Sequence, residues 1–451
     1  MPVLRHLLVI AATAAFVGCV DTAPQTTFKG DFQEVVREAT GKVYPSVVYI
    51  RAIVNDTSSG LDNAAPISGS GIIISPSGEV LTNFHVADKA RSIRCQLNDG
   101  AAYDAEIVGF DKDVDLALLQ LKLPEGTPPL PYAVFEPQPV EEGQFVMALG
   151  APWGLNRSVS IGVVSCADRY LAGASEYSLW IQTDATISPG NSGGPLVNTA
   201  GDIVGINTLS LARQHGFSIP VATITDVVDR LREYKEANWA WLGLELQPLA
   251  NFDKNIYFDF DSGVIVANTQ EGSPARLAGI LPKDRIVAIN DSEVSVKTIE
   301  KMPDFCRQLG LLPFDIPINL TIDRNGEMLN FELTPVRKGN VEGEELVLKR
   351  WGVTAKAINR FDNPDLFFYR QTGVFVYGLN WRGNAGQSEL YTNDIITSVN
   401  GESVETLAEL EAAYEKAIAR APRQTRANVM ILRRGSPRSI VIDFGRNTVT
   451  D

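Results

Sequence analysis

From about Phe32 to Val221 the apolar positions fall in short runs separated by turn residues. SVVYIRAIV (46–54), GIIIS (71–75) and EVLTN (79–83) open the series, the last two joined by Pro76, Ser77 and Gly78. Further runs lie at 106–109, 116–121, 145–149, 159–166, 179–183, 195–198, 203–208 and 217–221. Runs of this length, rich in β-branched residues and bounded by Gly and Pro, predict strands. With no helical segment between them, they predict an antiparallel barrel or sandwich. The period changes at 224–234, where Ile224, Val227, Val228 and Leu231 share one helical face and Thr223 is the expected N-cap. This helix closes a first domain, 32–236.

Beyond Trp239 the pattern repeats. SGVIVA (262–267) matches TGVFVY (372–377), and KDRIVAIN (283–290) matches NDIITSVN (393–400). Gly263 and Gly373, Asp284 and Asp394, Asn290 and Asn400 are each 110 positions apart. One module of about 100 residues therefore occurs twice, at 239–338 and 349–446. In the second copy Leu407, Leu410, Tyr414 and Ile418 mark a helix face. The stretch RKGNVEGEELVL (337–348) reads as the separator between the copies.

The first nineteen residues, MPVLRHLLVIAATAAFVGC, have Arg5 in a short head, an apolar run over 7–17 and a small-residue end. The run is too short for a spanning helix and reads as an export signal over 1–18. FVGC (16–19) is similar to a bacterial lipobox and marks Cys19 as a lipidation site, with polar 19–31 as a tether. Setting Cys19 aside, Cys95, Cys166 and Cys306 are too widely spaced for a disulfide framework and read as small buried hydrophobes.

Composition narrows the chemistry. The net charge is −14 over 451 residues, which disfavours a nucleic-acid footprint. There is no CxxC pair, no HExxH and no GxxxxGK[ST], so neither a zinc enzyme nor a P-loop nucleotide site is indicated, and no metal or cofactor is expected.

GNSGGP (190–195) is the strongest chemical signal. A nucleophilic serine needs backbone N–H donors aimed at the oxyanion it creates, and glycines allow that close backbone approach. The amides of Gly190 and Ser192 are the natural donors. Serine also needs a base. Of three histidines, His6 lies in the leader and His215 in a polar loop, which leaves His85 in LTNFHVA (81–87). The carboxylate that orients the imidazole is Asp115, which opens the apolar strand in DKDVDLALL (111–119), with Asp111 and Asp113 as rivals. The order His85, Asp115, Ser192 in an all-β domain is the chymotrypsin order.

With TNFHVA, DVDLALL, ALGAPWGL, SIGVVS, TDATISPGNSGGPLVN, GDIVGIN and GFSIP, the chain resembles the HtrA/Deg family of bacterial serine proteases over nearly its whole length. The resemblance implies an all-β double-barrel chymotrypsin-like domain followed by two α+β PDZ modules. It puts the triad on His85, Asp115 and Ser192, and the S1 floor on Ile187 beside the uncharged Thr186. It implies an ATP-independent endopeptidase of the periplasmic side of the envelope that degrades misfolded or unfolded proteins as a homotrimer. A lipid anchor at Cys19 followed by Val20 favours the outer membrane. A regulatory protease with one envelope partner, and a chaperone or scaffold with little hydrolysis, are the competing readings. Trp241, Leu242, Gly243 and Leu244 form the expected carboxylate loop of the first PDZ module, followed by GSPARLAG (272–279). The second copy has RWGV (350–353) but replaces the Ser-Pro-Ala turn with WRGNAGQ (381–387), so C-terminal peptides are expected at the first module.

Overall fold

The computed structural model describes residues 31–135, 140–151, 157–210, 215–250 and 260–446, so the leader, Cys19 and the tether up to Gly30 lie outside the described residues. The chain opens with a helix, α1 (Phe32–Val43), where only β-type runs were expected. Asp31 caps it by accepting the Gln33 amide at 3.1 Å, and Val36, Ala39 and Val43 fall at helical spacing against the core.

The first barrel contains β1 (Val47–Asp56), β2 (Asn63–Ile73), β3 (Glu79–Thr82), α2 (Phe84–Ala87), β4 (Ala90–Gln96), β5 (Ala102–Asp111) and β6 (Leu116–Leu121). The second contains β7 (Phe145–Gly150), β8 (Ser158–Arg169), β9 (Trp180–Thr183), β10 (Pro195–Asn198), β11 (Ile203–Ser210) and β12 (Gly216–Pro220). Both sheets close, in the orders β1-β2-β3-β6-β5-β4 and β10-β11-β12-β9-β8-β7. Closure removes the free edges of each sheet.

Strand periodicity explains how two barrels share a wall. Along β6, Ala117 and Leu119 fill the first barrel, while Leu116 and Leu118 face the seam with Met147 and Leu149 of β7. Val146 and Ala148 of β7 point the other way, into the second barrel. Both strands are buried on two faces, hence the unbroken apolar runs LALL and VMAL. α3 (Val221–Tyr234) seals the seam through Ile224, Val227 and Leu231. It starts three residues earlier than the pattern suggests: Pro220 is its N-cap, and Thr223 is an interior residue with Oγ1 3.2 Å from Ser178 Oγ.

The next module comprises β13 (Ala240–Trp241), β14 (Leu244–Gln247), β15 (Val264–Thr269), α4 (Pro274–Leu277), β16 (Arg285–Ile289), β17 (Ser292–Glu293), α5 (Met302–Gly310), β18 (Ile318–Arg324), β19 (Glu327–Leu333) and β20 (Val336–Arg337). The last comprises β21 (Glu345–Leu348), β22 (Val353–Ala357), α6 (Pro364–Tyr369), β23 (Val374–Leu379), β24 (Ile395–Val399), β25 (Glu402–Ser403), α7 (Leu407–Ile418), β26 (Arg426–Arg433) and β27 (Ser436–Asp443). Their sheets run β14-β15-β16-β18-β19 and β21-β22-β23-β24-β26-β27. The repeated residues do the same work in each. Asp284 holds Arg324 at 2.7 Å, and Asp394 holds Arg433 at 2.7 Å through Nε. Asn290 (φ 47°) and Asn400 (φ 50°) each accept a neighbouring strand's amide at 2.9 Å.

One expectation about organisation is overturned. The stretch 337–348 is no mere separator, because its end forms β21 and pairs with β22 from Glu345↔Lys356 to Leu348↔Val353. The last sheet therefore starts at Glu345, four residues before the boundary read from the repeat. Cys95 and Cys306 carry free thiols that burial pushes up to about 12; Cys95 is buried, whereas Cys166 and Cys306 are half-buried, less enclosed than expected.

Candidate active site

The three residues singled out as a triad come from three turns at the barrel interface. β3 ends at Thr82, Asn83 turns the chain, and the single-turn helix α2 presents His85. Asp115 sits between β5 and β6 at φ 56°, a left-handed conformation that Asp tolerates better than most residues. Asn83 fastens that turn by donating from Nδ2 to the Asp115 carbonyl at 3.0 Å.

His85 and Asp115 meet closely. Nδ1 lies 2.9 Å from Oδ2 and 3.0 Å from Oδ1, and the His85 backbone amide also donates to Oδ1 at 3.1 Å. The Thr208 hydroxyl donates to Oδ2 from the second barrel. Both carboxylate oxygens are thus engaged by donors, which fixes the imidazole with its proton on Nδ1 and a lone pair on Nε2. The rivals are excluded by their own partners: Asp111 accepts from Trp239 Nε1 at 2.8 Å and Asp113 from Lys338 at 2.8 Å. His215 is exposed and lies 3.3 Å from Gln182.

Ser192 arrives from the second barrel in a turn closed by Asn191 N–H to Ser188 O at 2.9 Å, with Gly190 at φ 102°. Positive φ at that third position is the signature of a type II turn. The amides of Gly190 and Ser192 donate to no acceptor among the described residues. The Ser192 hydroxyl donates to the Thr208 carbonyl at 3.1 Å.

Ser70, which the sequence reading missed, pins this turn across the interface. Its amide donates to Ser192 O at 2.7 Å, its hydroxyl to Gly190 O at 2.6 Å, and its carbonyl accepts from Thr82 Oγ1 at 2.7 Å. A Cβ on Gly193 would stand 2.1 Å from Ser70 O, and one on Gly69 2.8 Å from Val86. Glycines at 69 and 71, alternating with Ser68 and Ser70 inside a strand that ends in Ile72 and Ile73, are the signal that could have revealed this close approach. Thr208, which no motif distinguished, is the other missed residue.

Ile187, five residues before Ser192, is buried beside Gly216, where an added Cβ would meet its Cδ1 at 2.7 Å. Thr186 is exposed, its amide donating to Ser160 Oγ at 2.7 Å. In the following module Trp241 belongs to β13, Leu242 is buried, and Leu244 starts β14. Gly243 has φ 70°, and a Cβ there would be 2.1 Å from Ser273 Cβ. The Leu242 and Gly243 amides donate to no acceptor among the described residues, as a carboxylate loop requires.

Comparison with known proteins places this geometry. Residues 69–206 match a trypsin-like peptidase domain and residues 240–334 a PDZ domain. A "probable periplasmic serine endoprotease DegP-like" from Hahella chejuensis is 31% identical over 413 residues, covering 84% of this chain and 80% of that protein. The chain belongs to the HtrA/Deg family. A protein of the same description from Chlamydia pneumoniae is 29% identical over 352 residues, 76% of this chain and 70% of the relative. Among solved structures, the HtrA-type protease AlgW with tripeptide superposes with a TM-score of 0.59 at 28% identity, covering 69% of this chain and 98% of that one. The HtrA/Deg chain described here is accordingly a serine endopeptidase with PDZ architecture and periplasmic relatives.

Proposed function

We propose that this HtrA/Deg protease is an ATP-independent endopeptidase of the periplasmic side of the envelope that clears misfolded or unfolded proteins. The observation that carries the catalytic assignment is the imidazole of His85 held at 2.9 Å by Asp115, which Thr208 links to Ser192: its hydroxyl donates to Asp115 and its carbonyl accepts from Ser192 Oγ. Catalysis requires Ser192 Oγ to leave the Thr208 carbonyl for His85 Nε2, and rotation about Cα–Cβ is a motion of ordinary side-chain speed. Oγ then bonds to the scissile carbonyl carbon while its proton passes to Nε2. The carbonyl oxygen takes the negative charge against the Gly190 and Ser192 amides. Nε2 returns the proton to the leaving amine as the C–N bond breaks, and water, deprotonated by the same nitrogen, hydrolyses the ester.

The S1 wall offers Ile187 and the uncharged Thr186, so small and medium aliphatic residues are preferred at P1, and broadly. The first PDZ module, 239–338, takes C-terminal peptides at Trp241–Leu244, and 349–446 with β21 makes a divergent second one. The protease domain assembles as a homotrimer, and lipid on Cys19 tethers it, with the outer membrane favoured. Light scattering and intact-mass analysis of the native N-terminus test these two points; a monomer, or an unmodified start elsewhere, refutes them.

The deciding experiment is casein digestion without nucleotide. The parent digests it, and a folded Ser192→Ala variant loses activity by a factor on the order of 10⁴ or more. Equal digestion by the variant, or cuts concentrated after Lys or Arg, refutes the assignment. Failure to digest unfolded casein at all would favour a regulatory protease with one partner.

A further inference from the structure

A PDZ module binds by letting an extended chain add to a sheet edge beside a helix, with the chain's end at a loop of free amides. In the first module the outer edge of β14 pairs with nothing among the described residues. In the last module the corresponding edge, that of β22, is taken by β21 of the same chain. β21 runs antiparallel to β22, and its C-terminal end, Leu348, arrives at the loop RWG (350–352). Leu348 is 1% exposed and shares a core with Leu410, Ala413 and Tyr414 of α7, the place where the last side chain of a bound peptide would sit. The loop is closed as well. The Trp351 and Gly352 amides both donate to Leu348 O at 3.0 Å, and the Arg350 amide donates to Tyr414 Oη at 3.0 Å.

The outward face of β21 has a separate role. Glu345 receives Lys89 at 2.5 Å and Thr57 Oγ1 at 2.6 Å, both from the first barrel. Lys89 lies four residues beyond His85, and Thr57 is at the tip of the β1–β2 hairpin. Burial opposes the charge on Glu345, yet the hydrogen bonds from Lys89 and Thr57 outweigh it and hold the carboxyl below its ordinary range. The hairpin tip continues onto the same sheet, where Thr354 Oγ1 donates to Thr57 O at 2.7 Å.

We propose that β21 is a built-in ligand of the second module: it fills the groove between β22 and α7 in the pose of a bound C-terminus, closes that module to peptides and clamps it on the first barrel through Glu345. The proposal rests on reading the last module as a PDZ domain. Its consequence is that peptide control of this protease enters through the first module alone, while the second acts as a brace behind the His85 turn.

The test uses the full chain carrying Ser192→Ala, so that probes survive. The probe is a photoreactive decapeptide ending in Glu-Leu-Val-Leu with a free carboxylate, with its C-terminal amide as control. In the otherwise unaltered chain the amides of Leu346 and Leu348, which the pairing turns towards β22, should exchange at least roughly a hundredfold more slowly than in an unfolded chain. Cross-links to 353–357 or 407–418 should be absent. Leu348→Ala, which trims the occupant without adding charge, should admit the acid but not the amide and produce those cross-links. Glu345→Ala should raise exchange at Leu346 and Leu348 at least tenfold. Fast exchange or cross-links at β22 and α7 in the unaltered chain overturn the built-in ligand. Slow exchange with no peptide uptake by a folded Leu348→Ala overturns the PDZ reading itself, and the two failures are distinguishable.

Discussion

Replacing Asp115 by Asn changes one atom at a position where the structure makes the consequence calculable. The backbone is spared, because Asn tolerates φ 56° as Asp does, and the Asn83 bond goes to the main-chain carbonyl of residue 115. The side chain has to reconcile three donors with a single acceptor oxygen: the His85 amide and Nδ1, and the Thr208 hydroxyl. If the amide oxygen stays with Thr208, the NH2 group faces His85 and selects the tautomer with its proton on Nε2. That tautomer has no lone pair to accept the Ser192 proton. If the oxygen turns to His85, NH2 meets the Thr208 hydroxyl and the carboxylate charge is still lost against the developing imidazolium. The first arrangement removes the base and the second leaves it without its counter-charge, and the expected fall in kcat is on the order of 10⁴. At about 1.36 kcal/mol per decade this is roughly 5.4 kcal/mol of barrier. The assay is kcat and KM on a casein-derived peptide from pH 6 to 10. KM should be nearly unchanged, since no substrate contact is altered, and thermal unfolding should match the parent. A folded Asp115→Asn enzyme retaining more than a tenth of parental kcat would refute the tautomer argument.

Two further perturbations probe the ground on which the site stands. Gly193→Ala places a methyl 2.1 Å from Ser70 O at φ 82°; overpacking and left-handed strain together cost roughly 3 kcal/mol, a Tm drop of about 6–12 °C, and activity falls with it. Gly126→Ala, at φ 80° with nothing within 4 Å, should lose only the backbone part, and equal losses in the two variants would refute the clash. Asp111 is held up to about 7 by burial first and by the Asp113 carboxylate second, against an ordinary 3.8. Its folded form keeps the proton while the unfolded form releases it, so this group's contribution to stability is present below about pH 4 and lost as pH rises to about 7, at up to about 1.4 kcal/mol per pH unit. Urea midpoints of Asp111→Asn minus parent should therefore rise between pH 4 and 8, and a flat or falling difference would contradict the buried-acid account.

The strands of the first domain were legible because they obey a local rule, which left barrel and sandwich both open; the double barrel was implied by the family resemblance. LALL and VMAL are continuous apolar runs, and a strand buried on both faces reads that way whatever its partners are. The ordered residues His85, Asp115 and Ser192 were legible because their chemistry needs particular side chains, and the structure brings Asp115 rather than Asp111 or Asp113 to His85. That choice turns on backbone shape: Asp115 stands at φ 56° at the head of β6, whereas the other two carboxylates satisfy Trp239 and Lys338 of the module behind. Ser70 and Thr208 were not legible, since their importance comes from bonds across the interface and a lone hydroxyl in a strand carries no periodic signal. α1 was missed for a different reason. Its buried positions, Ala39, Thr40 and Val43, are few and small, so its apolar face is faint beside the β-type text that follows.

The two repeated modules show where similarity of sequence stops implying similarity of use. Their shared residues, the Asp–Arg pairs and the left-handed asparagines, maintain strand junctions, and these survive in both copies because any such sheet needs them. The differences gather at the loop before the second strand. In the first module Gly243 is pressed against Ser273, the N-cap of α4, and the loop amides stay open. In the second, WRGNAGQ stands in place of that turn. Asn384 donates from Nδ2 to Arg350 O at 2.7 Å and Arg446 O at 3.0 Å, binding the loop shut where Ser273 left it open. The segment that departs from the repeat is thus the one that fastens the loop following Leu348. The divergence is structural, and it converts a receptor for chain ends into a fixture for the enzyme's own chain.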